Sequence, residues 1–248
     1  MADELTAITN SYNQNGYYFP IDAMSVEQAL VYRSQFEAAE REYKDKDPDF
    51  DALVFGHANM VMPFIDEITR LSSVLDPVRA ILGTDVMVWG ANLFIKEAYS
   101  PNYVSWHQDL TYWGLDGVDK VTAWVALSSA TVRSGCMRYV PGTHTREIVP
   151  HRDTFAENNQ LSRGQEVAVD VNEAEAAMWS SHLVKSHCIM GEYFMHRRQT
   201  RQTIDASGLR FVISVHGCSR YRGLRLIARW YRERTATAIF TSLRRHAE

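Results

Sequence analysis

Trp106 opens the stretch WHQDLTYWGLDGVDKVTAWVAL, which ends at Leu127. Its two ends are rich in aromatic and β-branched residues, and Gly114 and Gly117 interrupt its middle. That pattern predicts strand, turn, strand. His107 and Asp109 sit two residues apart on the first strand. Strand side chains at i and i+2 share a face, so an imidazole and a carboxylate would project together. They supply two thirds of a facial two-histidine, one-carboxylate set, which leaves open positions on a non-haem Fe(II). A His-x-Asp triplet by itself is more often a surface or hydrogen-bonded pair.

The same β texture extends on both sides. Residues 86–96 (VMVWGANLFIK) are apolar and aromatic without a helical stripe. Residues 103–110, 121–127, 136–140 and 166–171 read as further short strands. Turn-forming pieces separate them: Ser100-Pro101-Asn102, residues 114–117 and Pro141-Gly142-Thr143. The N-terminal third reads as helical. Ser25 and Gln28 form a capping-box pair, followed by Leu30, Tyr32, Phe36 and Ala39 out to about Tyr43. A second helix is expected over 63–72, and a third from Asp76 to Leu82 with Pro77 in its first turn. Helices followed by many short strands predict an α+β chain with a sandwich or barrel core.

The chain has 248 residues, 46% of them hydrophobic and 23% charged, which excludes global disorder, collagen and coiled coil. No run of 18 apolar residues occurs, so no membrane span is expected. The N-terminus lacks the layout of a secretory signal. Cys136, Cys188 and Cys218 are too few and too scattered for a disulfide framework or a zinc site. A reducing cytoplasm is the expected compartment. The net charge of −4 hides a split: residues 1–176 carry −13 and residues 177–248 carry +9. All seven prolines precede residue 177. Residues 220–234 (RYRGLRLIARWYRER) mix arginine with aromatics. That composition supports an alternative function, a non-catalytic globular domain whose basic tail binds nucleic acid or an anionic membrane.

From about Tyr12 to Ala176 the sequence resembles the phytanoyl-CoA dioxygenase family of Fe(II)/2-oxoglutarate oxygenases. The resemblance rests on NGYYFPIDAMSVEQA from Asn15, WHQDLTYW from Trp106 and VTAWVALSSATVRSGCMRYVPGTH from Val121, in this order. It implies a double-stranded β-helix, a cupin-like jelly roll, with flanking N-terminal helices. It also implies that His107 and Asp109 are iron ligands. Trp124 would line the 2-oxoglutarate site, with Asn92 and Lys96 as further co-substrate contacts. The bland alternatives are core packing for Trp124 and a structural role for Asn92 and Lys96. Relatives that halogenate carry a small residue in place of the carboxylate, so Asp109 implies hydroxylation. The expected partners are a small-molecule substrate and O2, with neither nucleic acid nor membrane. His144 and His151 are read as surface or supporting residues.

The family pattern also needs a distal histidine and, about eleven residues later, an arginine to pair with a carboxylate of 2-oxoglutarate. Neither is legible after Ala176, which puts activity of the chain as written in doubt. His196 is a weak candidate for a third ligand, and His182, His187 and His216 are weaker ones. Translation one nucleotide out of phase can restore the pattern, given free choice among degenerate codon bases. The codon spanning Phe194 and Met195 then encodes His or Tyr, and that spanning Ile204 and Asp205 encodes Arg or stop. A frameshift from about Ala177 accounts for the charge break, the arginine excess and the missing prolines together. The expected organisation is therefore an incomplete oxygenase domain over 1–176 and an Arg-rich, out-of-frame tail over 177–248. The closing strands of the β-helix should be missing or distorted.

Overall fold

The computed structural model describes residues 2–96, 99–109 and 120–178, apart from the side chains of Ala2, Leu53, Phe55, His57 and Lys96. It describes 186–190, 195–197 and 210–219 by their backbone alone. Five helices come first: α1 (Ala2–Asn15), α2 (Val26–Tyr43), α3 (Phe50–Val61), α4 (Pro63–Arg70) and α5 (Ser72–Leu82). Strand β1 (Tyr17–Asp22) lies between α1 and α2. The remaining strands are β2 (Val86–Lys96), β3 (Val104–His107), β4 (Lys120–Ala126), β5 (Met137–Tyr139), β6 (His151–Asp153), β7 (Gln165–Val167), β8 (Ala177–Met178), β9 (Ser186–Met190), β10 (Met195–Arg197) and β11 (Arg210–Ser219).

Helix α2 starts where its sequence says it should, because Ser25 Oγ accepts the Gln28 N–H at 3.1 Å. The capping box is one-sided, however. The Gln28 side chain donates to Tyr32 Oη at 3.3 Å instead of returning to the cap. The buried face is Ala29, Tyr32 and Phe36, at helical spacing, while Leu30 is half-exposed. Helix α5 begins a turn earlier than expected, at Ser72, and Pro77 lies inside it. Proline forfeits one helical hydrogen bond there, so packing of Val74 and Val78 into the core must outweigh local preference. Helices α1 and α3 have no anticipated counterpart. Among the described side chains each buries a narrow set, Ile8 in α1 and Phe50, Val54 and Ala58 in α3.

The strands form two principal antiparallel sheets. One has the order β1-β9-β4-β11-β2 and the other β3-β10-β5-β8; β6 and β7 make a separate hairpin pair. Alternation along β2 and β4 divides the faces of the larger sheet. Ala91, Leu93, Val121, Ala123 and Val125 pack with the helices in the main core. Phe94 and Trp124 look the other way, into a cluster with Tyr17, Phe19, Met137 and Tyr139. Since Met137 and Tyr139 belong to the smaller sheet, this second cluster is the filling between the sheets. The strands near 103–110 and 166–171 are shorter than expected, ending at His107 and Val167.

The expected absence of closing strands is not confirmed. β9, β10 and β11 all follow Ala176, and each takes an interior place in a sheet. β11 pairs with β2 and β4 along its length, with one register shift between His216 and Gly217. β10 pairs with β3 and β5, and its register against β3 shifts between Met195 and Arg197. Among the described residues no helix is long and apolar enough to cross a membrane.

Candidate metal centre

His107 is the last residue of β3 and only 5% exposed. Its Nδ1 lies 2.8 Å from the Ser105 carbonyl oxygen. A carbonyl only accepts, so Nδ1 carries the proton and the Nε2 lone pair is left free of its own hydrogen. That Nε2 stands 3.1 Å from Asp109 Oδ1. Two lone pairs at that distance hold together only if a cation lies on or between them. That cation is a proton, carried by either group, or a metal ion held by both. Anchoring the distal ring nitrogen on a carbonyl is also how ligating histidines are commonly held. The donors therefore fit a metal at two positions.

Asp109 arrives there by a different route from simple strand alternation. β3 ends at His107, and Gln108 and Asp109 have already left the ladder. Gln108 is fully buried and is gripped from the segment 149–151. Its backbone N–H donates to His151 Nε2 at 3.0 Å, and its side-chain Oε1 accepts the Val149 N–H at 2.8 Å. His151 Nδ1 in turn lies 2.9 Å from the Val149 carbonyl. Burial holds His151 below its ordinary value of 6.5, partly opposed by the bond to Val149 and reinforced by nearby His107. The neutral ring this favours is the form able to accept from Gln108.

Ser105 adds a further tie. Its hydroxyl donates to the Gln165 carbonyl and accepts from Asn159 Nδ2 at 2.9 Å. Trp106 points away from this face. It packs with Val140 and Val167, and the Arg138 guanidinium lies 5.6 Å from its ring centroid. Arg138 is itself buried and paired with Glu173 at 2.5 Å. The tertiary partners of Ser105 and Gln108 were not legible in the sequence, because they lie 41 to 60 residues farther along the chain.

The residues expected around the co-substrate lie on the larger sheet. Asn92 and Trp124 both pair with Ser214, on either side of β11, so they share one row and one face. Trp124 is 8% exposed and stacks on Phe94, with ring centroids 5.6 Å apart. Position 96 alternates onto that face as well; the Lys96 side chain lies outside the described residues. Across the smaller sheet, Met195 is the residue opposite His107, while His196 is opposite Arg138. The His196 side chain lies outside the described residues, as do residues 220–234. Among the described residues no group of three His, Cys, Asp or Glu side chains could hold a metal ion.

The phytanoyl-CoA dioxygenase family model matches residues 12–186. A probable alpha-ketoglutarate-dependent hypophosphite dioxygenase from Stutzerimonas stutzeri is 27% identical over 114 residues, 45% of this chain and 40% of that protein. The chain thus spans less than half of that relative's length. Among solved structures, the non-heme monooxygenase ThoJ in its apo form has a TM-score of 0.73 at 27% identity, covering 86% of this chain and 77% of that one. EvdO2 from Micromonospora carbonacea var. aurantiaca, complexed with 2-oxoglutarate, has a TM-score of 0.66 at 16% identity, covering 86% and 90%. At that identity the likeness is one of fold.

Proposed function

Since the chain belongs to the phytanoyl-CoA dioxygenase family, we propose that it is an Fe(II)/2-oxoglutarate-dependent dioxygenase that hydroxylates a small organic substrate. The observation that carries this reading is the buried His107–Asp109 pair, with Nε2 and Oδ1 converging at 3.1 Å. His107 and Asp109 would hold the iron. Bound iron with 2-oxoglutarate supplies the oxidising chemistry, which consumes O2 and releases CO2 and succinate. The protein's own share is orientation and exclusion of water. The Ser105 carbonyl fixes the His107 tautomer, and the Gln108 contacts aim Asp109. Asn92 and Trp124 would contact 2-oxoglutarate from the opposite sheet, with Lys96 beside them, and the cluster of Phe94, Met137 and Tyr139 would keep that space dry.

The third ligand would come from the strand opposite His107. The register brings Met195 there, and the codon spanning Phe194 and Met195 becomes His or Tyr one nucleotide out of phase. The proposed organisation is thus an oxygenase domain over 1–176 whose continuation after Ala177 is read out of frame. The encoding DNA across 173–206 tests this. A stop, or no histidine codon at that place in the shifted phase, rejects the frameshift. The activity is tested separately by Fe(II)-dependent conversion of 2-oxoglutarate to succinate. The expected result is turnover lost in His107→Ala; equal turnover in both proteins rejects the reading.

A further inference from the structure

We infer that His151 is a positioning residue for the metal pair, acting as a surrogate strand partner for Gln108. This rests on the reading of His107 and Asp109 as metal ligands. β3 ends at His107, so no ladder hydrogen bond orients the peptide that leads to Asp109. A buried peptide N–H must nevertheless find an acceptor. The Gln108 N–H finds the ring nitrogen of His151, 43 residues away, at 3.0 Å. The Gln108 side chain is tied to the same segment through the Val149 N–H at 2.8 Å. The Val149 carbonyl, 2.9 Å from His151 Nδ1, holds the ring so that Nε2 presents its lone pair. Backbone and side chain of the residue between the two ligands are thus fixed to one point. Rotation of that peptide would swing Asp109 away from His107 Nε2. The hairpin of β6 and β7 supports the grip from outside, with His151 directly opposite Val167.

The role requires an acceptor at the Nε2 position, not a ring or a charge. His151→Phe keeps the ring volume and removes the acceptor. His151→Gln replaces the ring with an amide whose oxygen can reach the same place. Two readouts on the full chain separate the possibilities. The first is Co(II) affinity, followed by d–d absorption. We expect about a tenfold or greater weakening in His151→Phe, with most of it recovered in His151→Gln and the far-UV dichroism of both unchanged. The second uses uniformly 15N-labelled wild-type protein without metal. A scalar coupling across the hydrogen bond from the Gln108 amide nitrogen to His151 Nε2 is expected. Absence of that coupling overturns the proposal. So does wild-type Co(II) affinity in His151→Phe, or a folded His151→Gln that binds as weakly as His151→Phe. If Co(II) binding by wild type is undetectable, or unaffected by His107→Ala, the metal-ligand reading fails, and the inference that depends on it fails too. In that case a positive coupling would leave the hydrogen bond standing as a fold contact only. If His151→Phe does not fold, the coupling and the behaviour of His151→Gln decide the outcome.

Discussion

His107 is committed on both sides of its ring, to Ser105 through Nδ1 and to Asp109 through Nε2. Converting the acid to an amide removes the negative charge that the metal needs. Asp109→Asn is therefore expected to weaken Co(II) binding by more than the about tenfold to hundredfold typical of an outer-shell partner, as read by titration. His144 offers a test away from that centre. It packs edge-on to Tyr12 and lies 3.3 Å from the Asn13 carbonyl. Burial holds it below its ordinary value of 6.5, with the carbonyl pulling partly back. The folded protein thus binds this proton less readily than the unfolded chain. The contribution to stability is present above pH 6.5 and is lost as pH falls through the folded value. His144→Gln should flatten the decline of melting temperature over that window. An unchanged slope would show that other groups set it.

At the scale of elements, the helices stand on a few well-placed contacts. The Ser25 hydroxyl caps α2 without the reciprocal bond of a capping box, because Gln28 turns to Tyr32. Ser25→Ala should cost about 1 kcal/mol, seen as a melting temperature lower by roughly 2–4 °C for a chain of this size. Phe36 is fully buried and packs on Phe50 with centroids 6.5 Å apart. Phe36→Ala should cost about 3–5 kcal/mol in denaturant titration. Elements with a strong local signature were readable in advance. Residues 86–96 match β2 end to end, and Ser25 marks the start of α2. Pro77 misled because a local preference at the first turn was outweighed by burial of Val74 and Val78 one turn apart. α3 lacks a side-chain cap at Asp49, so nothing local announced it.

In the whole molecule, β9, β10 and β11, which follow Ala176, occupy interior places in the two principal sheets. β11 separates β2 from β4, and β10 separates β3 from β5. A chain ended after Ala176 would leave edges of β1, β2, β3, β4 and β5 facing gaps, with unpaired peptide groups and half a core exposed. Such a truncation should lose cooperative unfolding in calorimetry and aggregate. A sharp transition in the truncated protein would show that the first 176 residues fold without those strands. The pairing of Met195 with His107 follows from this arrangement, and it sets a strand from the basic part of the chain beside the proposed metal pair.

By itself the sequence determined the helical third, the β texture after Val86, and the two-residue spacing of an imidazole and an acid at 107 and 109, because these are local matters of period, capping and spacing. The tertiary structure alone decided what holds that pair in place. Gln165, Val149 and His151 reach back to Ser105 and Gln108 across 41 to 60 residues of chain. No periodicity encodes such contacts, since a buried peptide group only has to be satisfied, and any part of the folded chain can supply its partner.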